Sequence, residues 1–468
     1  MKEYAALNDA MLCELKEALG EEYVLTSDEK LEQYQTDEET DPKKFRRPEA
    51  VVLPGSAEEV AAVVKLCNKY NVPVTVRGGG TSLADGAIPV CGGIVLLTER
   101  MNKIIEMNTE GMYMIVEAGV RTVDIQKMAN DAGYLYAGDP CSAESCLIGG
   151  NLATNAGGNK AVRYGVTRNQ VYGLEMVTPT GEIVEVGARL KKCSTGYCME
   201  QLVMGSEGTL GIITKATLKL QPLPPYRFDM LAVFDDPEAA LNVVPKLVKA
   251  GVNPTSIEYM DNSYVRGCAD YIEFKGAPHY EDGIYVIITV ETFNEDELDM
   301  KMEQLNDICE EAGAVDVLEA DDRIWAMRRN CQESIRLVSL VSLTDDVVVP
   351  VDRIAETIKK IMEIGSKYPF PVPVKINAHI GDGNLHIVLC KCDMSDEDWE
   401  KYVEEFHEEV YEYAYSQGGR LAGEHGIGAK KLKYMEQFTP SGELELMRKI
   451  KLAWDPNLIL NPGKLFNV

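Results

Sequence analysis

The spacing of apolar residues predicts helices and strands that alternate in the first half of the chain. Residues 3–20 have the period of an amphipathic helix. Residues 50–53 form a short apolar run that predicts a strand, and Ser56 is a typical cap for a helix over residues 57–70. A second apolar run at residues 73–77 predicts another strand. The chain therefore begins with an α/β unit.

Glycine-rich loops recur three times in this half. They are Gly78-Gly79-Gly80-Thr81-Ser82, residues 148–158 and residues 205–211. The first loop is not a dinucleotide fingerprint, because Leu83 stands where the third glycine would fall, and no Walker lysine is present. Each loop alone is compatible with a flexible turn. Together, their small residues and neutral hydrogen-bonding side chains predict a site where the backbone lies against a large, flat cofactor.

A proline cluster at residues 222–225 predicts the end of the first domain. Beyond it, the pattern predicts strands over residues 228–234 and 284–290. Helices are predicted over residues 238–250 and 295–312. This alternation is typical of an α+β sandwich.

Two histidines flank a predicted turn in the second half. Asp382-Gly383 predicts a two-residue hairpin, which would place His379 opposite His386 with Cβ atoms about 5 Å apart. Glu424 would complete a two-histidine, one-carboxylate site suited to Fe²⁺, Mn²⁺ or Zn²⁺. In an extended segment Glu424 would face the ion, while His425 faces what the ion binds. The alternative is a pair of hydrogen-bonded hairpin histidines and a surface carboxylate.

The composition indicates an ordinary globular protein of two or three domains, with 468 residues of which 45% are hydrophobic. No run of 18 apolar residues occurs, and the first residues lack the features of a secretory signal, so we expect a cytoplasmic protein. The twelve cysteines lack the spacing of zinc, redox or iron–sulfur motifs. We therefore expect reduced thiols.

The formal net charge of −28 argues against binding to nucleic acid and against a basic membrane helix. An acidic surface could steer a basic partner protein or serve only solubility. It would repel an anionic substrate at long range, so local cations would have to hold such a substrate.

Five motifs lie between about Pro48 and the C-terminus. They are Arg77-Gly78-Gly79-Gly80-Thr81-Ser82, Gly149-Gly150-Asn151 through Gly158, Tyr164-Gly165-Val166-Thr167-Arg168, Gly205-Ser206-Glu207-Gly208-Thr209-Leu210-Gly211 and Asn461-Pro462-Gly463-Lys464. Together they resemble the FAD-linked D-2-hydroxy acid dehydrogenases. This family includes D-lactate dehydrogenases and the D subunit of glycolate oxidase, within the vanillyl-alcohol oxidase and p-cresol methylhydroxylase superfamily.

The resemblance implies an α+β fold. An FAD-binding domain of two subdomains, of the p-cresol methylhydroxylase type, would span residues 1–222 and include an N-terminal helical segment at residues 1–47. An α+β cap domain with an antiparallel sheet would carry the substrate and metal residues at 223–425. Residues 426–468 would return to the FAD domain.

The resemblance also implies the residues that bind FAD. They are Arg77, Gly78, Gly79, Gly80, Thr81, Ser82, Gly86, Pro140, Gly149, Gly150, Asn151, Thr154, Asn155, Gly157, Gly158, Glu207, Gly208, Gly211, Ile213 and Asn461. No histidine precedes His279, and Thr81 occupies the loop position where a flavin-linking histidine is expected. We therefore predict FAD that is not covalently bound.

The resemblance assigns roles to the residues around the predicted ion. His379, His386 and Glu424 match the metal ligands, and His425 matches the general base. Three further residues are expected at the substrate. Arg328 matches the arginine that clamps the substrate carboxylate, with its neighbour Arg329 as an alternative; Asn384 matches a residue near the substrate; and Lys375 would add positive charge. The bland alternative for Arg328 is an ion pair on a helix surface.

The implied reaction is oxidation of a D-2-hydroxy acid, lactate being favoured, by hydride transfer to flavin. Glycolate and 2-hydroxyglutarate are alternative substrates. The electrons must pass to a partner, and we favour an electron-transferring flavoprotein able to bifurcate electrons to NAD over an iron–sulfur subunit or a quinone. Two other classes remain open, a metallohydrolase that uses the glycine loops only as turns and a subunit whose flavin merely relays electrons.

Overall fold

The computed structural model describes residues 2–468. It contains eighteen strands: β1 Val24–Leu25, β2 Ala50–Val52, β3 Val74–Arg77, β4 Ile94–Leu97, β5 Ile104–Asn108, β6 Tyr113–Glu117, β7 Tyr134–Leu135, β8 Val171–Val177, β9 Ile183–Gly187, β10 Ile212–Lys219, β11 Gln221–Pro222, β12 Tyr226–Phe234, β13 Ser256–Met260, β14 Ile284–Thr292, β15 Asp316–Glu319, β16 Ser342–Val348, β17 Lys375–His379 and β18 Asn384–Cys390.

The same described part contains seventeen α-helices. They are α1 Asp9–Leu19, α2 Asp28–Glu32, α3 Ala57–Tyr70, α4 Thr122–Asp131, α5 Ile148–Thr154, α6 Ala161–Tyr164, α7 Met199–Val203, α8 Pro237–Leu241, α9 Val243–Ala250, α10 Asn262–Tyr271, α11 Glu295–Ala312, α12 Asp322–Arg329, α13 Cys331–Arg336, α14 Ile354–Gly365, α15 Asp396–Ser416, α16 Leu432–Phe438 and α17 Ser441–Trp454. Among residues 2–468, no helix combines the length and apolar character needed to span a bilayer.

The chain divides into two compact units. Unit 1 comprises the described residues up to Gly157, Val166–Leu223 and Glu424–Val468, and unit 2 comprises Gly158–Gly165 and Pro224–Gly423. The short segment Gly158–Gly165 belongs to unit 2, whereas all of residues 1–222 were expected to form one domain. Glu424 and His425 belong to unit 1, although the sequence placed them with the cap.

Unit 1 contains two main sheets. The four-stranded sheet has the order β1-β2-β4-β3, with parallel pairing of β4 to both β2 and β3. The five-stranded sheet has the order β5-β6-β10-β8-β9 and is antiparallel. The prediction of a helix over residues 57–70 is confirmed by α3, whose first turn is capped by the Ser56 side chain through the Glu59 N–H group.

Unit 2 is built on one seven-stranded antiparallel sheet of order β15-β12-β14-β13-β17-β18-β16. Helices α10, α12 and α13 bury their apolar residues on one face of this sheet. The predicted helix over residues 238–250 is two helices, α8 and α9. Pro245 explains the break, because its ring has no N–H group for the Leu241 carbonyl and clashes with it.

The predicted two-residue hairpin at Asp382-Gly383 is wrong. The loop between β17 and β18 has four residues, and His379 pairs with Asn384 while Asn377 pairs with His386. Gly383 has a φ of 93°, and a Cβ atom there would lie 2.0 Å from the Val349 carbonyl oxygen. Only glycine allows this close approach, so Gly383 lets the four-residue loop pack against the backbone at Val349.

Candidate functional site

A deep cleft lies wholly within unit 1, where the glycine loops converge. It encloses about 1360 Å³ of space, a figure that includes solvent at its open mouth. The predicted FAD residues that line it are Gly78, Gly79, Gly80, Thr81, Ser82, Gly86, Pro140, Gly149, Gly150, Asn151, Thr154, Glu207, Gly208, Gly211, Ile213 and Asn461.

Glycine is required at two points where the loops pack closely. A Cβ atom on Gly79 would lie 2.3 Å from the Ser145 carbonyl oxygen, and one on Gly149 would lie 2.9 Å from the Cβ of Ala118. Gly150 has open space around its Cβ position. The first two glycines thus allow loops to approach one another, whereas Gly150 leaves room at the cleft wall.

Three buried polar atoms in the cleft wall have no hydrogen-bond partner among the described residues. They are Thr98 Oγ1, Ser206 Oγ and Asn461 Oδ1. Buried polar atoms are normally satisfied, so these three fit a ligand that brings its own donors and acceptors. Thr98 and Ser206 are not among the predicted FAD residues, although Ser206 lies inside a glycine loop that the sequence identified.

Four predicted FAD residues do not line the cleft. Arg77 donates from Nη1 to the Thr36 carbonyl at 2.5 Å, and Asn155 accepts at Oδ1 from the Arg168 N–H group at 3.0 Å. A Cβ atom on Gly157 would lie 2.6 Å from Glu424 Oε2. Gly158 belongs to unit 2. Arg77, Asn155, Gly157 and Gly158 are thus absent from the cleft wall.

Glu207 joins the C-terminal segment of unit 1 to the cleft. Its carboxylate accepts from the N–H groups of Ile427 at 2.7 Å and Gly428 at 2.8 Å. Burial raises the pKa of Glu207, and these two N–H groups oppose that rise. Glu207 therefore positions the backbone just after Glu424 and His425.

Glu424 and His425 both line the same cleft. The expectation that they diverge from an extended segment is wrong, because residues 423–425 form a bend. His425 Nε2 lies 3.6 Å from Glu424 Oε1, and both side chains are largely buried. A titratable imidazole and a carboxylate therefore stand together in the cleft wall.

The two other predicted metal ligands face each other within unit 2. The ring centroids of His379 and His386 lie 5.2 Å apart, and a ring nitrogen of each lies within 4.8 Å of one of the other. His379 Nδ1 donates to Glu258 Oε1 at 2.9 Å, and His386 Nδ1 faces the Asn377 carboxamide oxygen at 3.2 Å. Both contacts favour the tautomer with a lone pair on Nε2, the arrangement seen at histidines that bind metals.

Arg328 lies beside this pair but in an ion pair that the sequence analysis did not foresee. Its Nε and Nη2 atoms donate to Glu258 Oε2 at 2.9 and 2.7 Å, and both side chains are buried. The alternative that Arg328 forms an ion pair on an exposed helix surface is therefore wrong. Arg329 is exposed. Glu258 is the main residue of this cluster that the sequence analysis missed.

Asn384 and Lys375 lie on the same face of the sheet as the histidines, as the strand register shows. The Asn384 carboxamide donates to Asp346 and to the Val347 carbonyl, while its buried Oδ1 has no partner among residues 2–468. Lys375 donates to the Ser263 carbonyl at 3.3 Å. Asn384 therefore offers an acceptor to a ligand, whereas Lys375 has a local structural contact.

Two protein-family models match this chain. Residues 48–187 match the FAD binding domain, and residues 223–465 match the C-terminal domain of FAD linked oxidases. The chain belongs to the FAD-linked oxidases. The predicted family and an FAD-dependent oxidoreductase are thereby confirmed.

Two relatives match this FAD-linked oxidase over nearly its whole length. A D-lactate dehydrogenase of Anaerostipes hadrus is 38% identical, covering 99% of this chain and 98% of that protein. The glycolate oxidase subunit GlcD of Bacillus subtilis (strain 168) is 35% identical, covering 91% and 90%. A solved structure of p-cresol methylhydroxylase with substrate bound has a TM-score of 0.82 at 17% identity, covering 98% and 97%. This likeness confirms the predicted fold class.

Proposed function

We propose that this FAD-linked oxidase oxidises a D-2-hydroxy acid, with lactate favoured, to the 2-oxo acid. The observation that carries the proposal is that His425, the proposed base, lines the same cleft as the glycine loops. The relative named D-lactate dehydrogenase supports this choice of substrate. Glycolate or 2-hydroxyglutarate is the alternative. A metallohydrolase is no longer proposed, because the chain belongs to an FAD-linked family.

The proposed cofactors are FAD, held without a covalent bond, and one divalent ion (Fe²⁺, Zn²⁺ or Mn²⁺). FAD supplies the hydride acceptor at N5 of its ring system. The ion would lower the pKa of the substrate hydroxyl. His379 and His386 fit an ion because their Nδ1 atoms are held by Glu258 and Asn377. We propose Glu424 as the third ligand from the sequence resemblance.

We propose a separate role at the substrate for each of four side chains. His425 accepts the proton of the 2-hydroxyl at a ring nitrogen. Arg328 orients the substrate carboxylate through N–H groups other than those that it gives to Glu258, since a guanidinium has five. Asn384 accepts a hydrogen bond at its buried Oδ1. Lys375 contributes positive charge from the same face of the sheet.

The electrons would leave to a partner protein. We propose an electron-transferring flavoprotein that passes them on to NAD, with an iron–sulfur subunit or a quinone as alternatives.

The test is anaerobic bleaching of the bound flavin by a panel of D- and L-2-hydroxy acids, with metal content determined on the same sample. We expect bleaching by the D-acids, fastest with D-lactate. The His425→Ala variant should lose bleaching by substrate but keep bleaching by dithionite, and exposed His279→Ala is the matched control. Bleaching that persists in His425→Ala would refute the proposed base. If no hydroxy acid bleaches the flavin of the wild type, the proposed reaction is refuted. If a hydroxy acid does bleach it, the alternative of a subunit whose flavin merely relays electrons is refuted.

A further inference from the structure

The carboxamide of Asn384 is held in one orientation within unit 2. Its Nδ2 group donates to Asp346 Oδ1 and, at 3.3 Å, to the Val347 carbonyl. A carboxylate and a backbone carbonyl offer only acceptor atoms, so neither can face the oxygen of the carboxamide favourably. Both protons of the Nδ2 group are used by these two acceptors. Oδ1 is therefore the atom that Asn384 has left to offer to a ligand.

Asp346 is itself held by Gly423, the last residue of unit 2. Asp346 Oδ2 accepts from the Gly423 N–H group at 2.9 Å, and the side chain is fully buried. A Cβ atom on Gly423 would lie 2.3 Å from Asn384 Nδ2, so glycine is needed where the backbone approaches the carboxamide. One oxygen of Asp346 thus receives a backbone donor, and the other receives the Asn384 side chain.

The oxygen of Asn384 selects the kind of ligand group that can lie beside it. It is buried, and none of residues 2–468 donates to it. Asn384 lies on the same face of the sheet as His379 and His386. A buried acceptor needs a donor, and a second acceptor beside it leaves both unsatisfied. The 2-hydroxyl of a hydroxy acid has a proton to donate, whereas the 2-oxo group of the product has only lone pairs.

We propose that Asp346 is a positioning residue that makes Asn384 an acceptor for the 2-hydroxyl, so that the site binds the 2-hydroxy acid in preference to its 2-oxo product. This inference rests on the proposed function and adds the residue that separates substrate from product. In the proposed reaction the hydroxyl proton passes to His425, and the C2 hydrogen leaves with its electron pair for flavin. The product then has no proton for Asn384, which favours its release.

The Asp346→Asn substitution should reverse the orientation of Asn384. The Gly423 N–H group remains a donor, so the new carboxamide turns its oxygen to Gly423 and its nitrogen to Asn384. Asn384 then accepts from this nitrogen at Oδ1 and presents its own Nδ2 group to the ligand, with loss of its hydrogen bond to Val347. A donor in this place fits a 2-oxo group better than a hydroxyl.

The first test compares D-lactate and pyruvate binding to the FAD-loaded protein by anaerobic calorimetry. D-lactate is added to protein whose flavin dithionite keeps reduced, and pyruvate is added to oxidised protein, so neither ligand reacts. In Asp346→Asn we expect D-lactate to bind about tenfold more weakly, as for the loss of one buried hydrogen bond, and pyruvate to bind at least as tightly as before. Equal weakening of both ligands would overturn the proposal.

Asp345→Asn is the matched control for this substitution. Asp345 is the preceding residue of β16 and is also buried, but its side chain points to the opposite face of the sheet. The control removes the same charge from the same strand, so we expect it to leave the ratio of the two dissociation constants unchanged. A change in this ratio equal to that in Asp346→Asn would contradict the role of Asp346.

The second test exchanges the two side chains. In Asp346→Asn/Asn384→Asp the new carboxamide donates to the new carboxylate, whose other oxygen is again an acceptor. We expect the ratio of the dissociation constants to return to the wild-type value, and a ratio that stays at the single-variant value would overturn the proposal. If Asp346→Asn does not fold, Asn384→Ala should lower the preference for D-lactate about tenfold. An unchanged preference in that variant would also overturn it.

The two levels of the argument can fail separately. If no hydroxy acid bleaches the flavin of the wild type, the proposed function fails and this inference fails with it. If D-lactate bleaches the flavin and the ratio of the dissociation constants is the same in the wild type and in Asp346→Asn, only the role of Asp346 is wrong.

Discussion

Glu258 contacts two of the proposed substrate and metal residues at once. Its carboxylate accepts from His379 Nδ1 and from the Arg328 guanidinium, and it is fully buried. Burial alone would raise the pKa of Glu258, but the charges and hydrogen bonds of His379 and Arg328 lower it below its ordinary value. An ionised Glu258 therefore imposes the Nδ1–H tautomer on His379 and orients Arg328.

Glu258→Gln should destabilise the protein and weaken metal binding. The substitution leaves Arg328 buried without its counter-charge, which costs about 3–5 kcal/mol of unfolding free energy. Loss of the carboxylate behind His379 should lower Zn²⁺ affinity about 10- to 100-fold. Urea unfolding and competition with a chromogenic chelator measure the two effects. Glu291→Gln is the matched control, because Glu291 is also a buried carboxylate of unit 2 but accepts from the hydroxyls of Tyr164 and Thr255. Equal losses in both variants would contradict this role.

The sequence around Glu258 indicates a buried, paired carboxylate, although Glu258 was not among the predicted site residues. It lies in β13 between Ile257 and Tyr259, and every residue of that strand is buried. A single carboxylate within an apolar strand must be paired, since an isolated buried charge is too costly. The partner could not be deduced, because Arg328 lies 70 residues away in the chain.

The loop between β17 and β18 shows what a local pattern determines. The predicted register was in error by two residues, and a shift of two keeps every side chain on its original face. His379 and His386 therefore still face each other. The loop length could not be predicted, because it depends on the contact of Gly383 with the distant Val349 carbonyl.

Lys464, in the C-terminal segment of unit 1, should give the protein a distinctive dependence on pH. Its ammonium group donates to the carbonyls of Asp85, Gly86 and Ile88. Burial lowers its pKa from 10.5 to about 8, although neighbouring carboxylates oppose this. Between these values the unfolded chain binds the proton and the folded protein does not, so stability rises with pH. The full rise is about 3 kcal/mol.

The measurement is the difference in unfolding free energy between the wild type and Lys464→Met, taken from pH 7 to pH 10.5. The titrations of groups far from Lys464 cancel in this difference, whereas those of Asp37, Cys91 and Glu207 do not, because the Lys464 charge lowers the pKa of each. We expect the wild type to gain stability relative to the variant as the pH increases above about 8. Lys103→Met, at an exposed position, should give a difference that is flat with pH. A flat difference for Lys464→Met as well would show that the ammonium group is not destabilised by burial.

The division of the whole chain was only partly predictable. The proline cluster at residues 222–225 lies at the change from unit 1 to unit 2. No change in composition marks the segment Gly158–Gly165, which belongs to unit 2. Its position depends on contacts such as that of Arg163 with Thr255 in unit 2. Long-range contacts of this kind are not encoded in local periodicity.

The net charge of −28 should make the reaction with an anionic substrate faster as salt is added. The field of the whole chain repels lactate at long range, and salt shortens its reach from about 30 Å at 0.01 M to about 8 Å at 0.15 M. Buried Arg328 is screened much less, so local attraction persists. We expect the second-order rate of flavin bleaching by D-lactate, measured by stopped flow, to increase about twofold over this range. Sodium and potassium chloride at equal ionic strength should give the same curve, which excludes specific binding of the cation. A rate that falls with salt would mean that exposed local cations, rather than the overall charge, control the approach of the substrate.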